Sequence, residues 1–265
     1  MTSYRYPEEQ VIFALTIILL LVLALLTAGA TLCLIPLAII VLIGISYWIS
    51  QSNHNALLQQ GIPVTPERTP QAAALAKECQ HKLQPGAVEV IIAPSQQLNA
   101  YTFGLSKPQV IVLYSSLFQV MDEDELRFIL GHEMGHVALG HTWLNTLLGG
   151  MAGVPVSIGA AVIVTLVFRW WNRACEYSAD RAGLLACGKP QKAVSALVKL
   201  VTRDINTPAK MESALRNIDL EDDSVGNVLG ETLSTHPMII HRIEQLRKYA
   251  ASSEYQYLQR QVNSL

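Results

Sequence analysis

The sequence lacks an excess of charge of either sign, and it contains few cysteines. Its 19 Lys and Arg residues nearly balance 21 Asp and Glu residues, so the formal net charge is -2. Because nucleic-acid binding needs a concentrated basic face, this balance gives no support for a DNA- or RNA-binding protein. The 4 cysteines are scattered without a Cys-x-x-Cys pair, which argues against a cysteine zinc knot or a disulfide scaffold.

Charged residues are missing entirely from two long stretches, 10–66 and 142–168. As one helix, residues 11–49 would be about 58 Å long, whereas a bilayer core is only about 30 Å thick. We therefore predict an N-terminal transmembrane helical hairpin, with helices over about 11–27 and 32–49 joined by Ala28-Gly29-Ala30. A cleaved signal peptide is the less favoured alternative, because its apolar region would be shorter and followed by polar mature sequence.

Positive charges near the first apolar stretch lie on one side of the predicted hairpin. Arg5 precedes the stretch and Arg68 follows it, whereas the tight turn between the two helices has none. The positive-inside tendency favours a multi-pass protein of the cell (inner) membrane with the rest of the chain in the cytoplasm. In this interpretation the chain has four parts: a membrane anchor (1–50), a linker (51–69), a main domain (70–250) and a C-terminal tail (251–265).

The main domain combines helical patterns with short β-like runs. Thr69-Pro70 is typical of a helix start, with Thr69 as a possible cap and Pro70 at the first helical position. A hairpin is expected around Gly104 and Pro108, between two of the three β-like runs, which cover 88–92, 100–103 and 110–113. We predict an α+β fold that is mostly helical, with a small three-stranded sheet.

The pattern His132-Glu133-Met134-Gly135-His136 carries most of the chemical information. It lies on a helix that Asp122 and Glu125 are expected to open with a capping box. Histidines four residues apart point to one side of a helix, about 40° apart around its axis, so both imidazoles can bind one metal ion. Glu133 would stand beside that ion, where a general base for a metal-bound water is needed.

A catalytic zinc site needs a third protein ligand and one open position for water. Glu176 is the candidate, so that His132, His136 and Glu176 would bind one Zn²⁺ per chain. Asp180, on the same helix face as Glu176, could accept the remaining N–H of a ligating histidine and fix its tautomer. His141 falls off the ligand face and is interpreted as a polar residue near the helix end.

These motifs resemble the HtpX and CAAX-prenyl-protease family of zinc metallopeptidases. The resemblance covers about residues 70–250 and is carried by Leu126-x-x-Ile129-Leu130-Gly131-His132-Glu133-Met134-Gly135-His136, Glu176-x-x-x-Asp180, Asn99-Ala100-Tyr101, and Thr235-His236-Pro237 with Arg242-Ile243. It implies a zincin-like metallopeptidase domain with a small β-sheet. In this chain Tyr101 replaces the family's Phe.

The resemblance also implies roles in substrate binding. Asn99 and His236 would position the substrate or its transition state, with His236 a candidate catalytic oxyanion donor. The strand around 110–113 would offer its edge to an extended peptide. In the alternative interpretation, Asn99 is a turn residue and His236 a helix-start residue.

The second uncharged stretch, 142–168, cannot cross the bilayer once, because His136 precedes it and Glu176 follows it, and both must reach one zinc ion. The glycines and Pro155 near its middle supply a break. We therefore predict an apolar hairpin insertion over about 142–168, either buried against the domain or dipping partway into lipid.

Taken together, the patterns predict a membrane-anchored zinc endopeptidase that acts on protein or peptide substrates associated with the lipid bilayer, in their quality control or processing. One alternative is a membrane-bound binding or chaperone module with a structural zinc, although structural sites are usually closed by a fourth ligand. A transporter is disfavoured by the few spans and the lack of an intramembrane ionisable residue.

Overall fold

The computed structural model describes residues 4–31, 61–105, 107–149, 159–201 and 237–264, together with some positions between 37 and 60. The fold is mostly helical with one small mixed sheet, as the sequence predicts. Its helices are α1 (Glu9–Thr31), α2 (Pro70–Leu83), α3 (Leu117–Val120), α4 (Glu123–Leu139), α5 (Thr142–Gly149), α6 (Gly159–Cys187), α7 (Pro190–Val201), α8 (Pro237–Ala250) and α9 (Ser253–Asn263). Its strands are β1 (Ile62–Pro63), β2 (Val88–Ala93), β3 (Ala100–Phe103) and β4 (Gln109–Tyr114).

The sheet has four strands in the order β1-β2-β4-β3, one more than predicted. The additional strand, β1, is two residues long and pairs with β2. The predicted hairpin between β3 and β4 is present. However, β4 lies between β2 and β3, so the prediction that 110–113 forms a free edge is wrong. Its run of apolar residues is typical of a strand that is covered on both faces. Among the described residues, β1 and β3 form the two edges of the sheet.

The central contact of the domain is the close packing of α4 against α6. Gly131 and Gly135 of α4 face this contact. A Cβ added to Gly131 would lie 2.5 Å from the Cβ of Ala186, and one added to Gly135 would lie 2.6 Å from the Cβ of Ala182. Because real side chains do not approach so closely, only glycine permits this helix separation. The contact therefore brings the histidine-bearing face of α4 next to the carboxylate-bearing face of α6.

The ends of α4 are both fixed by local signals. Asp122 accepts a hydrogen bond from the N–H of Glu125, and the Glu125 carboxylate accepts one from the N–H of Asp122, which confirms the predicted capping box. At the other end, Gly140 adopts a left-handed conformation with φ of 78°. Thr69, by contrast, precedes α2 as predicted but makes no capping hydrogen bond with its side chain.

The last helix of the chain belongs to the packed domain. Tyr255, Leu258 and Val262 of α9 are buried, and Tyr255 and Leu258 join the main hydrophobic core. The segment 251–265, predicted as a tail, thus carries a helix whose apolar face is covered. Its apolar residues recur at helical spacing, and their burial stabilises the helix against the core.

The first apolar segment forms α1, which is long and apolar enough over Glu9–Leu26 to cross a membrane by length and composition. The predicted break at Ala28-Gly29-Ala30 is wrong, because α1 continues to Thr31. Alanine has the highest helix propensity, and one glycine costs only about 1 kcal/mol. The predicted second transmembrane helix, 32–49, falls largely outside the described residues, as does the break expected near Pro155.

We predict that Gly131→Ala lowers the free energy of unfolding by about 1–3 kcal/mol, as expected for overpacking. The new methyl group would push against Ala186. The reciprocal control, Ala138→Gly on the half-buried part of the same helix, should cost only about 0.5–1 kcal/mol. Urea unfolding of both variants measures the difference. A stabilised Gly131→Ala variant would contradict the inferred close packing, because alanine is otherwise the better helix former.

Candidate active site

The structure brings together the three side chains that the sequence selects as metal ligands. The Nε2 atoms of His132 and His136 are 3.2 Å apart, and the Glu176 carboxylate oxygens lie 3.6 and 3.5 Å from them. Tetrahedral zinc ligands at ordinary bond lengths are about 3.3 Å from one another, so the three groups fit one ion. Both histidines are buried.

Asp180 lies behind the first histidine. Its Oδ1 atom is 3.0 Å from Nδ1 of His132. If this carboxylate accepts the Nδ1 proton, Nε2 of His132 is left with a free lone pair directed at the metal position. The geometry therefore matches the tautomer-fixing role that the sequence predicts for Asp180.

Arg242 of α8 connects the two carboxylates of α6. It donates through Nη2 and Nε to the two oxygens of Asp180, at 2.6 and 2.8 Å, and its Nη1 lies 3.0 Å from Oε2 of Glu176. Burial alone would raise the pKa of both carboxyls, but the guanidinium charge of Arg242 acts together with hydrogen bonds and the adjacent imidazoles to hold the pKa of each below its ordinary value. Both groups are therefore kept ionised, as a metal ligand and its supporting acceptor must be.

Glu133 stands beside the three ligands. It is buried, and its Oε2 atom accepts a 2.9 Å hydrogen bond from the hydroxyl of Thr102 on the edge strand β3. Sequence reasoning missed Thr102. A weak signal was present, because Thr102 lies between the aromatic residues Tyr101 and Phe103. Side chains alternate along a strand, so Thr102 must face the opposite side from both.

A cleft of about 320 Å³ runs between β3 and the ligands. Asn99 and Tyr101 line it on the strand side, together with Thr102. Asn99 also accepts a 3.1 Å hydrogen bond at its main-chain carbonyl from the N–H of Tyr114. His236, the predicted oxyanion donor, lies outside the described residues.

His141 differs from its sequence interpretation. It is buried, with Nδ1 at 3.0 Å from Nδ1 of His136 and Nε2 at 3.0 Å from Oε1 of Glu9. As part of a continuing helix, as predicted from the sequence, His141 would fall off the ligand face. In the structure, the left-handed Gly140 ends α4 and turns the chain so that His141 contacts His136.

Comparison with known proteins gives a consistent result. Residues 65–250 match the sequence profile of Peptidase family M48. The chain is 31% identical over 195 residues to the plastoglobule-localized metallopeptidase 48, chloroplastic, of Arabidopsis thaliana, covering 67% of this chain and 56% of that protein. It is 31% identical over 197 residues to protease HtpX of Acinetobacter baumannii, covering 60% and 65%.

A more distant relative is covered more fully. The protease HtpX homolog of Thermococcus kodakarensis is 25% identical over 244 residues, covering 78% of this chain and 82% of that protein. The chain spans less than two thirds of the length of the plant and Acinetobacter relatives. The profile match is confined to the domain that carries the candidate site and the sheet beside it.

We expect Arg242→Ala to destabilise the metal-free protein by about 3–5 kcal/mol, because it leaves the buried carboxylates of Glu176 and Asp180 without their positive partner. Urea unfolding in the presence of a chelator measures this cost. Lys248→Ala is the matched control: it removes an exposed cation from the same helix and should leave the midpoint unchanged. Equal midpoints for the two variants would show that the guanidinium does not compensate these carboxylates.

Proposed function

Because the chain belongs to peptidase family M48, we propose that it is a zinc-dependent endopeptidase that hydrolyses peptide bonds in membrane-associated proteins. The match confirms the resemblance to HtpX-type metallopeptidases noted from the motifs. One observation carries the proposal for this chain: His132, His136 and Glu176 converge while Glu133 remains free of them and faces the same cleft. Three ligands with a separate carboxylate beside them are typical of a catalytic site, whereas a structural zinc site is closed by four.

In the proposed reaction, the metal ligands, Glu133 and Thr102 have separate roles. Zinc bound by the three ligands would lower the pKa of a water molecule and polarise the scissile carbonyl. Glu133 would take the proton of the attacking water and later deliver it to the leaving amine. The hydrogen bond from Thr102 to one carboxylate oxygen holds Glu133 in place and leaves its other oxygen for proton transfer.

The substrate would bind as an extended peptide along β3. This strand is an edge among the described residues, and it lines the cleft opposite the ligands. An edge strand presents unpaired main-chain N–H and C=O groups, which an extended peptide can pair with irrespective of its side chains. Asn99, at the start of this strand, would help to hold the substrate, and the oxyanion role of His236 stays a prediction.

The membrane setting is part of the same proposal. Most large apolar side chains of α1 are exposed, among them Leu15 and Leu25, as expected of a helix that faces lipid. Trp143 and Trp170 are also exposed on α5 and α6, and tryptophan favours the headgroup region of a bilayer. We propose a cell (inner) membrane protein with a cytoplasmic peptidase domain that acts in quality control or processing.

Glu133→Gln should leave zinc content and folding unchanged but reduce cleavage at least about 10²-fold, because the amide cannot accept the proton. Cleavage of casein by the detergent-solubilised protein measures the rate, and metal analysis measures the zinc. Glu123→Gln is the control, since it neutralises an exposed carboxylate at the start of the same helix. Cleavage at the normal rate by Glu133→Gln would refute the role of Glu133.

Removal of zinc distinguishes this function from the alternative of a binding or chaperone module with a structural zinc. We expect dialysis against 1,10-phenanthroline to abolish casein cleavage while far-UV circular dichroism is retained, because the helices are held by a common apolar core. Added Zn²⁺ should restore cleavage. Loss of helical structure together with the metal, in a protein that never cleaves casein, would favour the structural alternative.

A further inference from the structure

A second polar cluster lies behind the candidate active site, between the first turn of α1 and the end of α4. It consists of Glu9, His141 and Ser178, all of which are almost completely buried, with Arg5 at its edge. Burying a carboxylate is costly unless it is fully paired and hydrogen-bonded. Neither the zinc ligands nor the proposed proton transfer uses this cluster directly, so its position needs a separate explanation.

Glu9 is held from several elements at once. Its Oε1 atom accepts hydrogen bonds from Arg5 and from Nε2 of His141, and its Oε2 atom accepts one from the hydroxyl of Ser178. Arg5 also donates to the main-chain oxygen of Leu139, the last residue of α4, at 2.8 Å. The first turn of α1 is thus fixed to α4 and α6 through polar contacts.

Hydrogen-bond chemistry determines which atom donates and which accepts along the row from His136 through His141 to Glu9. If His136 binds a metal through Nε2, its neutral ring carries a proton on Nδ1. That atom is 3.0 Å from Nδ1 of His141, so the second nitrogen must be the acceptor. His141 then carries its own proton on Nε2, which points at Oε1 of Glu9. Each donor therefore meets one acceptor, and the row ends on a carboxylate.

We propose that Glu9, acting through His141, is a positioning residue for the metal ligand His136, so that the first turn of the apolar helix completes the metal site. The proposal rests on the zinc site proposed above. The two histidine ligands are then supported in parallel ways: Asp180 accepts directly from His132, whereas Glu9 supports His136 through an intervening imidazole. Such supporting groups typically change metal affinity by about 10–100-fold.

Cys175 raises a competing possibility, because Glu9, His141 and Cys175 present ligand atoms within 4.8 Å of one another and could themselves bind a metal ion. Two observations argue against this. His141 and Glu9 are already in direct hydrogen-bond contact at 3.0 Å, and both oxygens of the Glu9 carboxylate already accept hydrogen bonds, Oε1 also from Arg5 and Oε2 from Ser178. Cys175 packs in an apolar cluster with Ile12 and Trp171.

The test measures zinc affinity in the full-length, detergent-solubilised chain by competition with a chelator of known affinity. We expect Glu9→Ala to weaken zinc binding about 10–100-fold. Glu9→Gln, which keeps a weaker acceptor and nearly the same volume, should weaken it in the same direction but less. Glu8→Gln is the matched control, because it neutralises the neighbouring, exposed carboxylate and should leave zinc affinity unchanged.

A double-mutant cycle with His141→Leu separates positioning from a general structural role. If Glu9 acts through His141, Glu9→Ala should add little further loss of zinc affinity in the His141→Leu background. Co²⁺ absorption spectra of the single variants should shift in the ligand-field bands, because His136 is no longer held in one orientation. Unfolding midpoints of each variant show whether the fold is retained.

Three results would overturn the proposal. The first is zinc affinity within about 2-fold of the wild type for both Glu9 variants, which is far below the loss expected of a supporting group. The second is full additivity in the cycle. The third is two zinc ions per wild-type chain that fall to one in Glu9→Ala, which would make Glu9 a ligand. Since none of these depends on cleavage, a chain that binds zinc but cleaves no peptide would refute the proposed function alone.

Discussion

The candidate site depends on the short distance between α4 and α6. Gly131 and Gly135 leave no Cβ at the contact, so the two helices approach until alanine methyl groups touch helix backbone. At a larger separation the Glu176 carboxylate would move away from the two imidazoles and could no longer share an ion with them. The same packing gives Asp180 its contact with His132. The missing side chains of two glycines therefore allow the three candidate ligands to approach one another.

Charge balance is the second requirement of the site. Three carboxylates, those of Glu133, Glu176 and Asp180, lie close together, and Arg242 contacts two of them. A buried carboxylate without a partner costs several kcal/mol. The guanidinium compensates part of this charge in the metal-free protein, and a divalent cation would compensate the rest. The arrangement is therefore suited to a divalent cation, while part of its negative charge is already compensated by Arg242.

Local patterns predicted much of the fold and of the site, whereas contacts between distant segments were missed. The capping box, the histidine-bearing helix and the i, i+4 spacing of Glu176 and Asp180 all follow from periodicities within one helix. The support of His136 that we propose for Glu9 does not, because Glu9 and His141 are separated by 132 positions in the sequence. The free edge expected at 110–113 was wrong for a related reason: β4 pairs in parallel with β2, which precedes β3 in the sequence, and no local pattern encodes this pairing. The turn expected at Ala28-Gly29-Ala30 is absent, because these residues continue helix α1, as the high helix propensity of alanine favours.

The attachment of α1 has a geometric consequence. Hydrogen bonds join the start of this apolar helix to the end of α4 and, through His141, to the candidate ligand His136. In the proposed membrane setting, the cleft would then stay at a constant height above the lipid headgroups. A peptidase held in this way would select scissile bonds by their distance from the bilayer. Segments emerging from the membrane would be cut where they reach this height.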